Sequence, residues 1–311
     1  MRSPPSGTDV VVLRALGLGD LLTGVPALRG LRRAFPQERI ELTTTAAVAE
    51  LAVSLGVVDV VAIGDLATPP APTRPRQAVN LHGSGPQSHR WLAATRPGSL
   101  LAFAHPEVPA SAGGPRWRSD EHEVLRWCRL LASAGVEADP EDLSIQPPTD
   151  PMPHESGRVV VHVGAASIAR RWPPDRWAAL VRRLIGAGLD PVLTGSTDER
   201  PIATYVAARA GLPPDRISAG RTSILELAGV VGGARLVIAG DTGVGHLATA
   251  LGRPSVLLFG PTPPATWGPP AGRPHAVLWK GTTGDPHARE PDPGLLGITV
   301  DEVERAAAAL L

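Results

Sequence analysis

Val237-Ile238-Ala239-Gly240-Asp241-Thr242-Gly243-Val244-Gly245-His246-Leu247-Ala248 is the stretch on which the fold turns. An apolar run that begins at Leu236 enters a Gly-Asp-Thr-Gly turn, and an apolar helical pattern leaves it. This predicts a strand, a tight loop and a helix start, which is where α/β proteins bind anions. Small residues let a ligand reach the backbone, and the N–H groups of the first helical turn have no intrahelical partner. The helix dipole favours an anion placed there by about 0.3–1 kcal/mol. Asp241 repels phosphate on the same electrostatic ground, so it is assigned to hydroxyls such as those of a sugar. The alternative is a helix cap and nothing more, with Asp241 or Thr242 as N-cap.

Working outward, the second half of the chain alternates strand and helix patterns. Val159–Val163 is a short continuous apolar run, the form of a strand buried on both faces of a parallel sheet. Gly164–Pro173 then leads into a helix from Asp175 to Ala187. A strand follows over Asp190–Thr194, a loop at Gly195-Ser196-Thr197-Asp198-Glu199, and helices over Asp198–Ala210 and Ser223–Val231. Beyond the quoted stretch come a strand over Ser255–Phe259, a Pro-rich loop over Gly260–Gly272 and a short strand near Ala276–Leu278. Asp285–Gly294 reads as irregular and Val300–Leu311 as a helix.

The first half has the same rhythm. Val10–Leu13 is a strand, Gly17-Leu18-Gly19-Asp20 a loop, and Leu21, Leu28, Leu31 and Phe35 recur at helical spacing until Pro36. A dinucleotide fingerprint fails here, because Leu22 stands where its third glycine belongs. Asp20 in this position also reads as an N-cap, which would hold its carboxylate at the C-terminal edge of the sheet. Ile40–Thr43, Val57–Ile63, Ala78–Leu81 and Ser99–Phe103 read as strands, Ala46–Leu55 as a helix, and Thr68–Pro75 as a Pro-rich loop. The polar loop His82–His89 leaves a strand end. His82 is placed toward a site there, and His89 is read as part of a surface turn. Glu121-His122-Glu123 opens a helix that runs to about Ala134. Adjacent helical residues point about 100° apart, so these three do not converge on a metal, and acids at a helix N-terminus already account for them.

Gln146–Pro153 carries four prolines in eight residues, which stops regular structure and predicts a semi-rigid linker. Domains over 1–147 and 155–311 follow, and the terminal helix 300–311 is a candidate to pack back toward the first. Thirty basic residues balance thirty acidic ones, so no bulk attraction to nucleic acid is expected. Cys128 is the only cysteine, which rules out a disulfide framework and a cysteine-based zinc cluster. No run of about 18 apolar residues predicts a membrane span. Met1–Asp9 lacks the apolar region of a signal peptide, so the chain is expected in the cytoplasm without stable membrane insertion. Arg29, Arg32 and Arg33 share one helix face, read as a solvated face with a charged acceptor as the alternative.

Asp241-Thr242-Gly243, Gly245-His246-Leu247-Ala248 and Leu258-Phe259-Gly260-Pro261-Thr262 resemble the signature of the ADP-heptose heptosyltransferases, glycosyltransferase family 9. The likeness covers nearly the whole chain and is tightest over 16–36, 159–174 and 236–263. It implies the GT-B fold, two doubly wound Rossmann-like domains facing across a cleft, with the donor on the C-terminal side. It also implies an inverting, metal-independent transfer from an ADP-sugar, heptose or similar, to a hydroxyl acceptor. That acceptor is a glycan, a lipid-linked species or a small molecule, and neither cofactor nor metal is expected.

Residue by residue, the resemblance makes Asp20 the catalytic base and puts Gly19 and His82 on the acceptor side. It assigns the donor diphosphate to Arg170, Ser167, Thr242, Gly243 and His246, the donor sugar to Asp241, and the nucleoside to Gly195 with Asp198 or Glu199. Two departures stand out. Arg170 occupies the position of the family's lysine before Trp172-Pro173, with Arg171 as the competing register. Ala166 replaces a common hydroxyl residue, which passes that contact to Ser167 or to backbone N–H groups. Arginine keeps its charge and grips phosphate oxygens bidentately, so the first departure preserves the chemistry. Two other readings keep the fold: a nucleotide-sugar 2-epimerase, and a catalytically silent sugar-nucleotide binding protein.

Overall fold

The computed structural model describes residues 8–147 and 157–311. The chain divides into two compact units, Met1–Leu143 and Ser144–Leu311. Most of the Pro-rich linker, 148–153, lies outside the described residues. The residues around its start belong to the second unit: the Ile145 N–H, just before it, bonds the Ala250 carbonyl, and Pro147 lies against Gly232.

The first unit runs β1 (Val10–Leu13), α1 (Leu18–Thr23), α2 (Val25–Ala34), β2 (Ile40–Thr44), α3 (Ala46–Ser54), β3 (Val60–Ile63), β4 (Gln77–Asn80), α4 (Gln87–Ala94), β5 (Ser99–Leu101) and α5 (Glu123–Ala132). Its five strands are all parallel, in the order β3-β2-β1-β4-β5. The chain winds outward from β1 to β3, crosses back, and continues on the other side from β4. The switch point is therefore the crevice between β1 and β4, and ligands of such sheets bind at the carboxyl ends of the strands there.

The second unit contains β6 (Val159–His162), α6 (Pro174–Gly186), β7 (Pro191–Thr194), α7 (Arg200–Ala210), α8 (Ile224–Gly232), β8 (Leu236–Gly240) and α9 (Gly243–Ala250). It continues through β9 (Ser255–Leu258), α10 (Pro264–Trp267), β10 (His275–Leu278), α11 (Pro293–Leu296) and α12 (Val300–Ala308). Its parallel sheet is ordered β10-β9-β8-β6-β7. Here the winding reverses between β6 and β8, the other common doubly wound order. β1, β6 and β8 are buried along their whole length, as continuous Val/Ile/Leu runs require.

Several expectations change in detail. The single helix expected over Leu21–Phe35 is two, separated at Gly24. A Cβ on Gly24 would sit 2.8 Å from Arg14 Nε, so only glycine lets the chain pass over that buried side chain. Pro26 then fits the first turn of α2, where its missing N–H costs nothing. The loops expected over Gly260–Gly272 and Asp285–Gly294 contain α10 and the start of α11, each a single turn with proline in its first turn. His89 is not in a surface turn. It lies fully buried on α4, bonded to Asn80 and to the Phe103 carbonyl. In the terminal helix, Val303 and Ala307 join the core of the second unit, beside α6. Trp172 and Trp177 centre that core edge-to-face at 4.8 Å, and Trp172 Nε1 donates to the Ile298 carbonyl. Among the described residues no helix is long and apolar enough to cross a membrane.

Candidate active site

At the switch point of the first sheet, Arg14 follows β1 and the chain turns into α1. Asp20 is not the N-cap expected for it. Gly17 is the cap, and Asp20 is the third helical residue, its Oδ2 accepting from the Gly17 N–H at 3.3 Å. Its carboxylate thus stays at the helix N-terminus by reaching back, in the manner of a capping box. Below it lies Arg14, wholly buried. Arg14 donates to the Asp20 carbonyl, to the Leu81 carbonyl, to Thr23 Oγ1 (2.9 Å) and to Glu123 Oε1 (3.3 Å). Its guanidinium stands 3.9 Å from Asp20 Oδ1 and stacks over Trp127 at 4.9 Å. Burial pushes the Asp20 carboxyl above the ordinary carboxylate range. Arg14 pulls it down and Glu123 pushes it up. Gly19 lies within α1, its carbonyl taken by the Thr23 hydroxyl. His82 follows β4, its N–H bonded to Asn80 Oδ1 and its Nδ1 buried without a partner. Burial first, then Arg14, keeps its imidazole toward the neutral form.

Glu123 and Arg14 are what sequence reasoning missed. Glu123 reads as one more acid at a helix N-terminus, yet it is buried and also accepts from Arg126 and from Trp127 Nε1 (2.8 Å). Glu121 turns instead to Arg129, and His122 Nδ1 caps the Val124 N–H, so the three residues diverge. The available signal was an arginine at the end of an otherwise apolar strand. Such a group cannot be buried without a counter-charge. The Arg29, Arg32 and Arg33 face is occupied by acids, Asp142 for the first and last and Asp59 for the second.

At the switch point of the second sheet, β8 delivers Asp241 and Thr242 to the start of α9. Thr242 is the N-cap residue, but its side chain makes no capping bond, and its Oγ1 is buried without a partner. Asp241 is buried. Burial raises its carboxyl, while His246, Arg170 and a hydrogen bond with Thr262 lower it. Arg170 comes from the loop after β6. Its Nη1 donates to the Asp241 carbonyl at 3.3 Å and lies 4.0 Å from Asp241 Oδ2, and its Nε is buried without a partner. Arg171 turns away and bonds the Ala165 carbonyl at 2.9 Å, so of the two only Arg170 faces Asp241 in these contacts. His246 packs edge-to-face on Trp267 at 5.7 Å. A small pocket beside them runs from Asp241, Thr242 and His246 to Leu257, Phe259 and Trp267. Gly243 opens α9, as its apolar pattern predicted.

Ser167 is partly committed, because its hydroxyl caps the short turn Ile168–Arg170 by accepting from the Ala169 N–H. The two nucleoside candidates separate clearly. Asp198 is exposed, while Glu199 is buried and accepts from the Ser196 N–H at 2.7 Å. Glu199 lies over Gly164, where a Cβ would fall 1.9 Å from its Cδ, and closely against Gly195. His162, buried at the end of β6, bonds Thr194 Oγ1 at 3.0 Å, and burial depresses its pKa against the pull of Glu199.

Two doubly wound parallel units, one with a buried carboxylate and one with a cation and a helix start at the switch point, have the architecture of the GT-B glycosyltransferases. The model of glycosyltransferase family 9 (heptosyltransferase) matches residues 116–293, more than half of the chain, and the chain belongs to that family. It is similar to the solved Escherichia coli ADP-heptose lps heptosyltransferase II (19% identity, TM-score 0.79, 97% of this chain and 98% of that one). A family 9 glycosyl transferase from Veillonella parvula superposes likewise (18%, TM-score 0.80, 97% and 96%). So does E. coli heptosyltransferase WaaC with ADP (20%, TM-score 0.72, 97% and 99%). No curated protein sequence matches the chain.

Proposed function

We propose that this glycosyltransferase moves a sugar, heptose or a close relative, from an ADP-sugar to an acceptor hydroxyl, with inversion and without a metal ion. In the proposed step Asp20 takes the proton of the acceptor hydroxyl as its oxygen bonds to the anomeric carbon. The bond from that carbon to the diphosphate oxygen breaks, and ADP leaves with the electron pair. A single displacement inverts the anomeric centre. The raised carboxyl of Asp20 suits a general base, which works best when its pKa approaches the working pH.

Arg170 and the first turn of α9 take the charge that grows on the diphosphate, Thr242 Oγ1 bonds it, and Asp241 orients the sugar hydroxyls. Glu199, rather than the exposed Asp198, is assigned to the ribose. The observation that carries the reading is the pair of buried, unpartnered donors, Arg170 Nε and Thr242 Oγ1, flanking Asp241 at the start of α9. Buried polar atoms without partners are costly and are expected where a ligand completes them. The similar E. coli heptosyltransferase WaaC was solved with ADP, which agrees with the choice of nucleotide. Calorimetry with ADP, GDP, UDP and dTDP tests it: ADP binds best, and EDTA changes nothing. Equal affinities, or loss on chelation, count against the reading.

A further inference from the structure

We propose that Arg14 and its counter-ion Glu123 form a positioning device that fixes the two crevice loops of the first unit and balances the charge beneath Asp20; the proposal rests on the reading of Asp20 as the base. One guanidinium holds both the Asp20 carbonyl, in the turn after β1, and the Leu81 carbonyl, at the foot of the His82 loop after β4. Among the described residues no backbone ladder joins those two segments beyond the ends of the strands. The ladder ends at the pair Leu13 and Asn80, and the Leu81 N–H bonds the Leu13 carbonyl. Arg14 is therefore the tie that sets the spacing of Asp20 and His82, and Gly24 is kept small so that the side chain can pass.

The tie carries a cost for the chemistry. A lone cation 3.9 Å from Asp20 Oδ1 would make that carboxylate a weak base. Glu123 corrects this from α5 by taking the shorter contact with the same Arg14 nitrogen, Nη2, at 3.3 Å, and by adding its own negative charge near Asp20. Arg126 and Trp127 Nε1 hold Glu123 in place. Arg126 in turn grips the Arg118 and Glu121 carbonyls, so the loop before α5 is drawn into the same network. The charged and titratable groups bearing on Asp20 are thus Arg14 from β1, Glu123 from α5 and His82 after β4.

Titration of the Asp20 carboxyl carbon by NMR in the full chain, assigned through Asp20→Asn, tests the charge balance. Glu123→Gln should lower the midpoint by about one pH unit or more, and Arg14→Gln should raise it, with Glu123→Asp restoring the original value. Arg14→Lys keeps every buried charge and so guards against simple misfolding. A single ammonium cannot span both carbonyls, so amide exchange should quicken together in 17–23 and 81–83. An Asp20 midpoint unmoved in folded Glu123→Gln and Arg14→Gln overturns the proposal, as does Arg14→Lys with unchanged exchange in both loops. Failure of the underlying reading is separate: full transfer activity in Asp20→Asn removes the base, and with it the purpose of the device.

Discussion

The two crevices are built on one plan and filled with opposite chemistry. In the first unit the winding reverses between β1 and β4, in the second between β6 and β8, and both leave a gap at the carboxyl ends of parallel strands. The first gap is underlaid by a buried ion cluster, Arg14 with Glu123, and presents a carboxylate. The second has buried His162 and Glu199 at its floor, beside the end of β6, and presents unpartnered donors around a helix start. A carboxylate held up by burial suits proton abstraction, whereas free donors and a dipole suit a leaving anion. Topology thus chooses where a site lies, while the charge packed beneath it chooses what the site does.

The contrast breaks most sharply at Asp20. Asp20→Asn should lower transfer about 10²–10⁴-fold, the usual share of a general base, with ADP affinity unchanged by calorimetry. Its effect on stability has the opposite sign. The folded-state pKa is raised, so the group favours folding when protonated, and that contribution is lost as pH rises through the folded value. At neutral pH the ionised carboxylate opposes folding, and Asn should leave the protein at least as stable in thermal denaturation. Near-normal turnover in this variant would leave Asp20 a structural residue.

Arg170→Ala tests the second crevice. Removing a charge-assisted contact to a phosphate costs about 1.5–3 kcal/mol, some ten- to a hundredfold in ADP affinity. Arg171→Ala should cost far less ADP affinity, because that guanidinium serves the Ala165 carbonyl. If the two results exchange places, the loop before α6 binds the donor in another register.

Gly164→Ala probes the floor of the same crevice. The added methyl would overlap the Glu199 carboxyl, and overpacking of this kind costs about 1–3 kcal/mol. Chemical denaturation should read that loss, and ADP binding should weaken with it if Glu199 meets the ribose. A destabilised variant with undiminished affinity would move the nucleoside contact elsewhere.

The smallest effect sharpens the contrast in pH response. In the first unit the perturbed acid sits in the crevice. In the second, His275 at the start of β10 lies at the other end of the sheet, bonded to the Ser255 hydroxyl and pushed down to about 4 by burial, with Arg273 adding to the effect. The unfolded chain takes up a proton near pH 6.5, and the folded one resists until about 4. Stability therefore falls as pH drops through that window. His275→Gln should flatten the acid side of a plot of melting temperature against pH, and an unchanged slope would show that other groups set it.

How far the sequence alone reaches differs between the two crevices. Around Asp241 the strand, the turn and the helix start were local, an apolar run, small residues and a helix pattern within twelve positions, although Arg170 reaches the site from another loop. Around Asp20 the decisive partner lies more than a hundred positions away, at Glu123, and no pattern within either segment signals the pairing. The need for glycine at position 24 likewise comes from a tertiary contact, the Arg14 side chain passing beneath the turn. Propensity cannot report such a contact, because the residue that forbids a Cβ is distant along the chain.

The sequence by itself determined the alternation of buried parallel strands with amphipathic helices and the family signature around Asp20, Trp172-Pro173 and Asp241–Gly245. Each of these rests on spacing within a few residues, which hydrophobic periodicity and turn chemistry make readable. Only the tertiary structure showed that Arg170 contacts Asp241 while Arg171 bonds the Ala165 carbonyl, and that Glu199 is buried while Asp198 is exposed. It alone revealed the buried charge beneath Asp20, and the unit to which α12 gives its apolar face. Those choices depend on which groups burial brings together. A charge or donor without a partner is costly inside a protein, so the partner it finds is fixed by packing rather than by its neighbours in sequence.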